Sequence, residues 1–317
     1  MRVRGLTVLL AFVALTASTG GQAGAAVTWH SYPVPFRAED PYGVTAGPDG
    51  AVWFTGNVGN SIGRISPDGH IETVRVPTGT ARPNLIIAGP DGRLWFTEFL
   101  GDKFGRVTTS GQITEHGLRK DSGPYGLAVG PDGNVWLTES FGNSVDKVDA
   151  ATGLVTRFDL PTASSGPTDI VGGPDGALWF TEGAGRIGRI TTDGLITEFD
   201  IPTATSLPYG IALGPDGNLW FCEFGGQTIG RITPSGEITE FPLAPNSEPY
   251  EIVAFRGALW FTLLERGIVD RITTVGVVTQ YPMPEGGFPR GIAVGPGGGS
   301  LWIADYGSSR ILQLEAG

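Results

Sequence analysis

Two sets of side chains recur once per repeat and hold most of the groups able to do chemistry. One set follows a proline: Tyr42, Asn84, Tyr125, Thr168, Tyr209, Tyr250 and Arg290. The other lies three residues after a tryptophan: Gly56, Glu98, Glu139, Glu182, Glu223, Leu263 and Asp305. Four tyrosines and an arginine above an acidic ring suit a ligand with aromatic and polar parts. A third recurrent set is basic: Arg64, Arg106, Lys147, Arg189, Arg231, Arg271 and Arg310. Pairing of these cations with the acidic set inside each blade is the expected structural role of both. Tyrosine has an ordinary pKa near ~10 against ~6.5 for histidine, so it is a poor base at neutral pH unless a neighbour such as Arg290 lowers it. His30, His70 and His116 fall on or beside the last strand of a repeat, away from any channel. No phosphate-binding Walker loop, no Cys/His cluster at metal spacing and no Gly-x-Ser-x-Gly elbow is present.

The elements that position these residues follow from a repeat. Tryptophans stand at Trp53, Trp95, Trp136, Trp179, Trp220, Trp260 and Trp302, with gaps of 42, 41, 43, 41, 40 and 42 residues. Each repeat reads as four short strands: an apolar strand, a Pro-Asp-Gly turn, the tryptophan strand, an Ile-Gly-Arg-Ile strand and an Ile-Thr-Glu-Phe strand. Asp-Gly suits the hairpin because glycine takes positive φ freely, and the turn aspartates are read as turn formers. Four strands per repeat of about 42 residues is the arithmetic of a propeller blade. The chain therefore predicts an all-β fold, a seven-bladed β-propeller with four-stranded blades. Its last repeat ends after a third strand, Arg310 to Leu314, while Val27 to Pro35 resembles a fourth strand with no blade before it. The N-terminal strand is expected to complete the last blade and remove an open edge. First strands line the channel of a propeller and second strands run antiparallel beside them, so the tyrosine and acidic sets belong on one face, at the channel mouth.

Residues 1–25 read as a secretory signal peptide: Arg2 and Arg4, an apolar run from Leu6 to Leu15, and small residues at Ala23-Gly24-Ala25. The run is too short for a stable membrane span and no later segment is long enough, so no transmembrane anchor is expected. Residues 26–317 form the propeller, placed outside the cytoplasm, secreted or periplasmic, and expected to be a monomer. The formal charge of −11 repels phosphate backbones and argues against nucleic acid as a partner. Cys222 is the single cysteine, so a hydrophobic core rather than an intramolecular disulfide must hold the exported fold.

The phrases Gly-Pro-Asp-Gly-x-Leu-Trp-Phe-Thr-Glu, Ile-Gly-Arg-Ile-Thr and Ile-Thr-Glu-Phe-x-Ile-Pro, repeated along residues 27–317, resemble the virginiamycin B lyase (streptogramin B lyase) family. The resemblance implies an active site on the channel mouth and an Mg²⁺-assisted elimination that opens a cyclic depsipeptide antibiotic at its ester. Such chemistry needs a base beside a carbonyl and a cation for the charge that develops. The family's Glu-Pro-His step corresponds to Glu248-Pro249-Tyr250 and its earlier Pro-His step to Pro208-Tyr209, so both histidines are replaced by tyrosine. Matching by blade number instead places them at Tyr250 and Arg290. The resemblance thus carries Tyr250, Tyr209 and Arg290 as catalytic positions and Glu248 and Glu265 as metal ligands for Mg²⁺. Against the metal role stands pairing of Glu265 with Arg266 or plain solvent exposure. Three readings remain open. The first, preferred, is a propeller binding a small-molecule or peptide-like ligand at its mouth without efficient lyase chemistry. The second is a divergent carbon–oxygen lyase. The third is a protein-interaction scaffold, which a large apolar patch on the mouth face would favour.

Overall fold

The computed structural model describes residues 27–34 and 40–316; the signal peptide assigned to residues 1–25 lies outside them. Seven antiparallel sheets of four strands form a ring. Blades 1 to 6 span residues 41–75, 83–117, 124–159, 167–200, 208–242 and 249–282. Blade 7 combines three strands from residues 289–316 with Val27–Pro33, which pairs with Arg310–Ala316 as its outermost strand. Trp29 packs beside Leu312 and Leu314, so the N-terminal strand seals apolar surface as well as a ladder edge. No helix among the described residues is long and apolar enough to cross a membrane.

The core lies between neighbouring blades rather than at the axis. Trp53 of blade 1 packs with Ile86, Leu94 and Phe96 of blade 2, and the same arrangement recurs around the ring. Each tryptophan is also anchored at its polar edge. In blades 1 to 5 its indole N–H donates to the turn aspartate, as from Trp53 to Asp49 at 3.0 Å and from Trp95 to Asp91 at 2.9 Å. Those aspartates are turn formers, as expected, with the added task of holding the indole.

The basic set was expected to pair with the acidic set, and the register overturns this in all blades but one. Tryptophan faces the basic residue directly, Trp53 opposite Arg64 and Trp95 opposite Arg106. An acidic residue three positions further along is therefore opposite a residue three positions before the cation. The cations accordingly reach the turn aspartates at the other end of the blade: Arg64 to Asp49 at 2.8 Å, Lys147 to Asp132 at 2.9 Å and Arg189 to Asp175 at 2.6 Å. They also lie over the indole faces, Arg106 at 4.7 Å from the Trp95 ring centre. Arg310 alone meets its acid, Asp305, at 2.7 Å. It does so because Gln313, not Arg310, stands opposite Trp302.

A threonine that the sequence reading passed over joins the blades. Thr55, Thr97, Thr138, Thr181 and Thr262 each accept an N–H from the first strand of their own blade. Each also donates its hydroxyl to a first-strand carbonyl of the next blade, such as Tyr125 at 2.9 Å and Arg290 at 2.8 Å. Blade 5 has the buried Cys222 at this position instead. Every first strand slips register just after its opening proline, at the residues the threonine serves. Such a bulge turns a side chain out of the ladder, and here it turns the residue after the proline toward the mouth.

Removing residues 26–36 leaves the last blade three-stranded and uncovers Leu312 and Leu314. We expect the unfolding midpoint, followed by circular dichroism, to fall by more than about 10 °C, given ~2–4 °C per kcal/mol for chains of this order. A truncated chain as stable as the parent overturns the closure.

Candidate functional site

At the mouth the bulges aim Tyr42, Tyr125 and Tyr250 at one another. Their hydroxyls form a closed triangle: Tyr42 with Tyr125 at 2.5 Å, Tyr125 with Tyr250 at 2.6 Å, and Tyr42 with Tyr250. Arg290 lies across the cluster, its guanidinium carbon 4.9 Å from the Tyr42 ring centre, 5.1 Å from Tyr250 and 4.6 Å from Tyr306. Tyr209 tilts onto Tyr250 at 4.7 Å between centroids. The structure therefore brings together five of the seven residues of the first set. Asn84 and Thr168 are held aside: Asn84 accepts from Asn57 at 2.7 Å, and Thr168 donates to the Pro208 carbonyl at 3.1 Å. Phe99, Phe224, Leu264 and Tyr306 pack around the cluster. They sit one residue beyond the acidic ring, a position with no regular phrase to flag it. Leu100, Phe141, Leu207 and Phe288 add exposed apolar groups to the loops of this face.

Burial decides the electrostatics of the cluster. Tyr250 is 4% exposed. Loss of water pushes its hydroxyl, and that of Tyr125, well above the ordinary value of 10; the Arg290 charge counteracts this at Tyr250 only in part. Tyr42 is raised for the same reason, with Arg290 again opposing. The expected lowering of a tyrosine by Arg290 exists but is outweighed by desolvation.

Below the tyrosines the channel holds a cavity of about 310 Å³ lined by Gly43, Leu85, Leu127, Asp169, Glu251 and Gly291 among others. Asp169 and Glu251 form a hydrogen-bonded acid pair, and Asp169 also accepts the Ile211 N–H at 3.0 Å. Burial pushes Asp169 up to about 6 and Glu251 well above its usual range, the Asp169 charge adding to the shift at Glu251. The signal for this pair was present in the sequence: the residue after the first set is glycine in blades 1, 3, 5 and 7 but acidic in blades 4 and 6.

Glu248 and Glu265 come from the two loops expected to be neighbours. The Leu264 N–H donates to the Glu248 carbonyl at 3.1 Å. Burial first, and the Glu265 charge second, raise the Glu248 carboxyl above its ordinary value. Glu265 is exposed, while Glu248 Oε2 is buried without a hydrogen-bond partner among the described residues. An orphaned carboxylate oxygen beside a second carboxylate fits a hard cation that keeps several waters, as Mg²⁺ does. No group of three or more His, Cys, Asp or Glu side chains suited to a metal exists among the described residues. The histidines lie where the sequence put them. His30 and His116 are on outermost strands and His70 precedes one. His116 stacks on Phe104 and bonds Arg106 at 2.8 Å, so it serves the blade.

The acidic ring is deeply buried: Glu98, Glu139, Glu182, Glu223 and Asp305 are each 0% exposed. Glu139 is bound by Arg119 and Arg157 at 3.1 and 2.7 Å. Among the described residues Glu98 and Glu223 accept no N–H or O–H, and Glu182 has Ser165 within reach. Desolvation accordingly pushes Glu98 up to about 8, Glu182 to about 7 and Glu223 to about 8.

The virginiamycin B lyase family has a model that matches residues 27–314. A solved streptogramin B lyase is 37% identical with a TM-score of 0.87, covering 92% of this chain and 98% of its own. A catalytically inactive histidine-to-alanine variant of the Staphylococcus aureus virginiamycin B lyase, solved with quinupristin, is 39% identical with a TM-score of 0.86, covering 91% and 99%. The curated virginiamycin B lyase of Bordetella pertussis matches locally, 46% identical over 52 residues, 16% of this chain and 17% of that protein.

The buried glutamates fix the sign of a pH dependence. Unfolded glutamate titrates near ~4.3, whereas these hold their protons to about 7 or 8 when folded. Their contribution to stability is complete below about pH 4.3 and is lost as pH rises through 8. In metal-free buffer the unfolding midpoint should fall between about pH 5 and 9. Glu98→Gln should flatten that slope and raise the midpoint at pH 8; an unchanged slope refutes the assignment.

Proposed function

This chain belongs to the virginiamycin B lyase family, and from that premise we propose that it is an exported, monomeric propeller that binds a small-molecule or peptide-like ligand at its channel mouth without efficient ring-opening elimination. The observation that carries this reading is the state of Tyr250. It takes the place of the histidine in the family's Glu-Pro-His step, yet its hydroxyl is locked between Tyr42 and Tyr125. Burial raises its pKa away from the range of a useful base. Tyr209, at the other histidine position, lies against the Tyr250 ring. One solved relative is described as catalytically inactive when a single histidine becomes alanine, and this chain has no histidine on the mouth strands or loops. The aromatic cluster and the apolar side chains on the surrounding loops suit a ligand with aromatic or aliphatic groups, and Arg290 offers a donor to its carbonyls.

A second reading rests on Glu248 and Glu265. These two would hold Mg²⁺, which when bound supplies positive charge for an oxygen that becomes negative beside a carbonyl. The protein's own groups would then orient the ligand: Arg290 by hydrogen bonding and the tyrosines by stacking. A positioned base is worth ~10²–10⁴-fold, and it is the part this mouth lacks.

Incubating the purified protein with a streptogramin B antibiotic and Mg²⁺, followed by mass spectrometry, should give linear product at least about 10²-fold more slowly than a histidine-bearing relative. Calorimetry should still detect the intact antibiotic binding, more weakly in Tyr209→Ala. Rapid turnover that disappears in Glu248→Gln establishes the lyase reading instead. Absence of both turnover and binding rejects the antibiotic as ligand and favours a protein partner on the apolar loops.

A further inference from the structure

The channel mouth holds one positive charge for which the fold supplies no counter-charge. Arginine stays ionised in proteins, so Arg290 brings a full charge to the centre of the mouth. Elsewhere the ring neutralises its buried arginines. Arg106 lies 3.8 Å from Asp91, and Arg310 lies 2.7 Å from Asp305. Arg290 has no carboxylate partner among the described residues, and its buried Nε–H donates to nothing. Glu251 in the channel is held by Asp169, with no arginine acting on it.

The surroundings of Arg290 are aromatic. Its guanidinium carbon lies 4.6 to 5.1 Å from the ring centres of Tyr306, Tyr42 and Tyr250. Ring faces attract a cation but carry no net charge. The phenols could balance Arg290 only as phenolates. Burial opposes that near neutral pH, since it raises Tyr42, Tyr125 and Tyr250 above their ordinary value, and these hydroxyls already bond one another. The Tyr250 hydroxyl within reach of the guanidinium is therefore a neutral acceptor. A half-buried cation given ring faces and a phenol oxygen still lacks the negative partner that such charges normally have.

The backbone holds Arg290 in this position. Its carbonyl accepts the Thr262 hydroxyl at 2.8 Å. A side chain at the adjacent Gly291 would begin 2.4 Å from the Tyr42 carbonyl oxygen, so the strand is pressed against blade 1. Phe288, two residues earlier, is 49% exposed. Its N–H nevertheless donates to Asp305 at 2.8 Å, and its carbonyl accepts the Tyr306 N–H at 3.0 Å. An anchored, exposed apolar ring thus stands near the unpaired cation.

We propose, on the premise that the mouth is the ligand site, that Arg290 is the receptor for a carboxylate and that the ligand is a linear peptide-like acid with an apolar side chain beside that group. A carboxylate accepts two parallel N–H bonds from one guanidinium. Its one charge matches the one cation, whereas a phosphate dianion needs a second cation and is repelled by an acidic chain. A depsipeptide closed at its ester has its terminal carboxyl tied up in that bond, while an opened chain carries it free. Arg290 thereby favours the open form over the ring.

The test titrates N-acetylphenylalanine and its amide into the protein by calorimetry at pH 7. The two probes share one aromatic body and differ in charge. The acid should bind at least about tenfold more tightly than the amide. Added salt should weaken the acid and leave the amide unchanged, a comparison that needs no variant. Arg290→Gln, its fold checked by circular dichroism, should bind both probes equally, and Arg290→Lys should keep part of the preference. Inorganic phosphate should fail to displace the acid. Equal binding of acid and amide by the parent overturns the carboxylate assignment and leaves the mouth as a ligand site. A preference that survives in Arg290→Gln places the anion elsewhere and overturns it too, as does displacement by phosphate. Binding of neither probe removes the mouth reading and the carboxylate assignment together.

Discussion

The close approach of the seven first strands around the axis is the constraint on which the rest of the structure depends. A side chain at Gly43 would begin 2.5 Å from the Asn84 carbonyl oxygen, and one at Gly210 would begin 2.8 Å from the Glu251 Cα. Strands this near leave no ladder partner for the residues at the bulge, so their N–H groups and the facing carbonyls need another source of hydrogen bonds. In five of the seven blades a second-strand threonine supplies both, accepting from its own blade and donating to the next. The bulge then frees the preceding side chain to turn inward. The tyrosine cluster is a consequence of this geometry rather than an addition to it.

Closing the ring brings groups into low dielectric that no single blade could bury. Three tyrosine hydroxyls from blades 1, 3 and 6 satisfy one another. An aspartate from blade 4 and a glutamate from blade 6 share the channel wall beneath them. Glycine at position 210 of the intervening first strand lets Glu251 lie this close. The same desolvation that makes these contacts strong removes the tyrosines from acid–base duty, since a phenol without water holds its proton. The cluster is therefore built for packing, and recognition rather than acid–base chemistry is the role proposed for the mouth. Proton transfer at neutral pH would need a group with a pKa nearer 7 than any tyrosine of the cluster has.

The acidic ring shows one sequence position meeting different fates. Identical Trp-Phe-Thr-Glu phrases in blades 2 and 4, and near copies in blades 3 and 5, all bury their glutamate. What surrounds it depends on residues far away in sequence. Arg119 and Arg157 serve Glu139, whereas Glu240 stands against Glu223. A repeat conserves the buried carboxylate, and one third-strand position, Lys103, Arg186 and Arg310 in blades 2, 4 and 7 but Thr228 in blade 5, decides whether a cation stands opposite it.

The blade, its count and its closure were determined by the sequence alone, because period-two alternation, Asp-Gly turns and a tryptophan every 40 to 43 residues are local signals that repetition amplifies. The membership of the mouth was equally readable, since strand polarity places every post-proline residue on one face; Tyr42, Tyr125, Tyr209, Tyr250 and Arg290 do meet there. The proximity of Glu248 to Glu265 followed from the same polarity. Sequence reasoning went astray over the basic residues, because the pairing of Arg64 with Asp49 rather than with the acidic ring depends on register, and a shift of three residues moves a side chain to the other end of the blade. Asp169 and Glu251 stand out in the sequence as acidic residues at a position that is mostly glycine, but their meeting, the orphaned Glu223 and the raised pKa of Tyr250 belong to tertiary structure alone. Each arises when side chains from different blades, tens to hundreds of residues apart, exclude water from one another, and no pattern within a repeat encodes that exclusion.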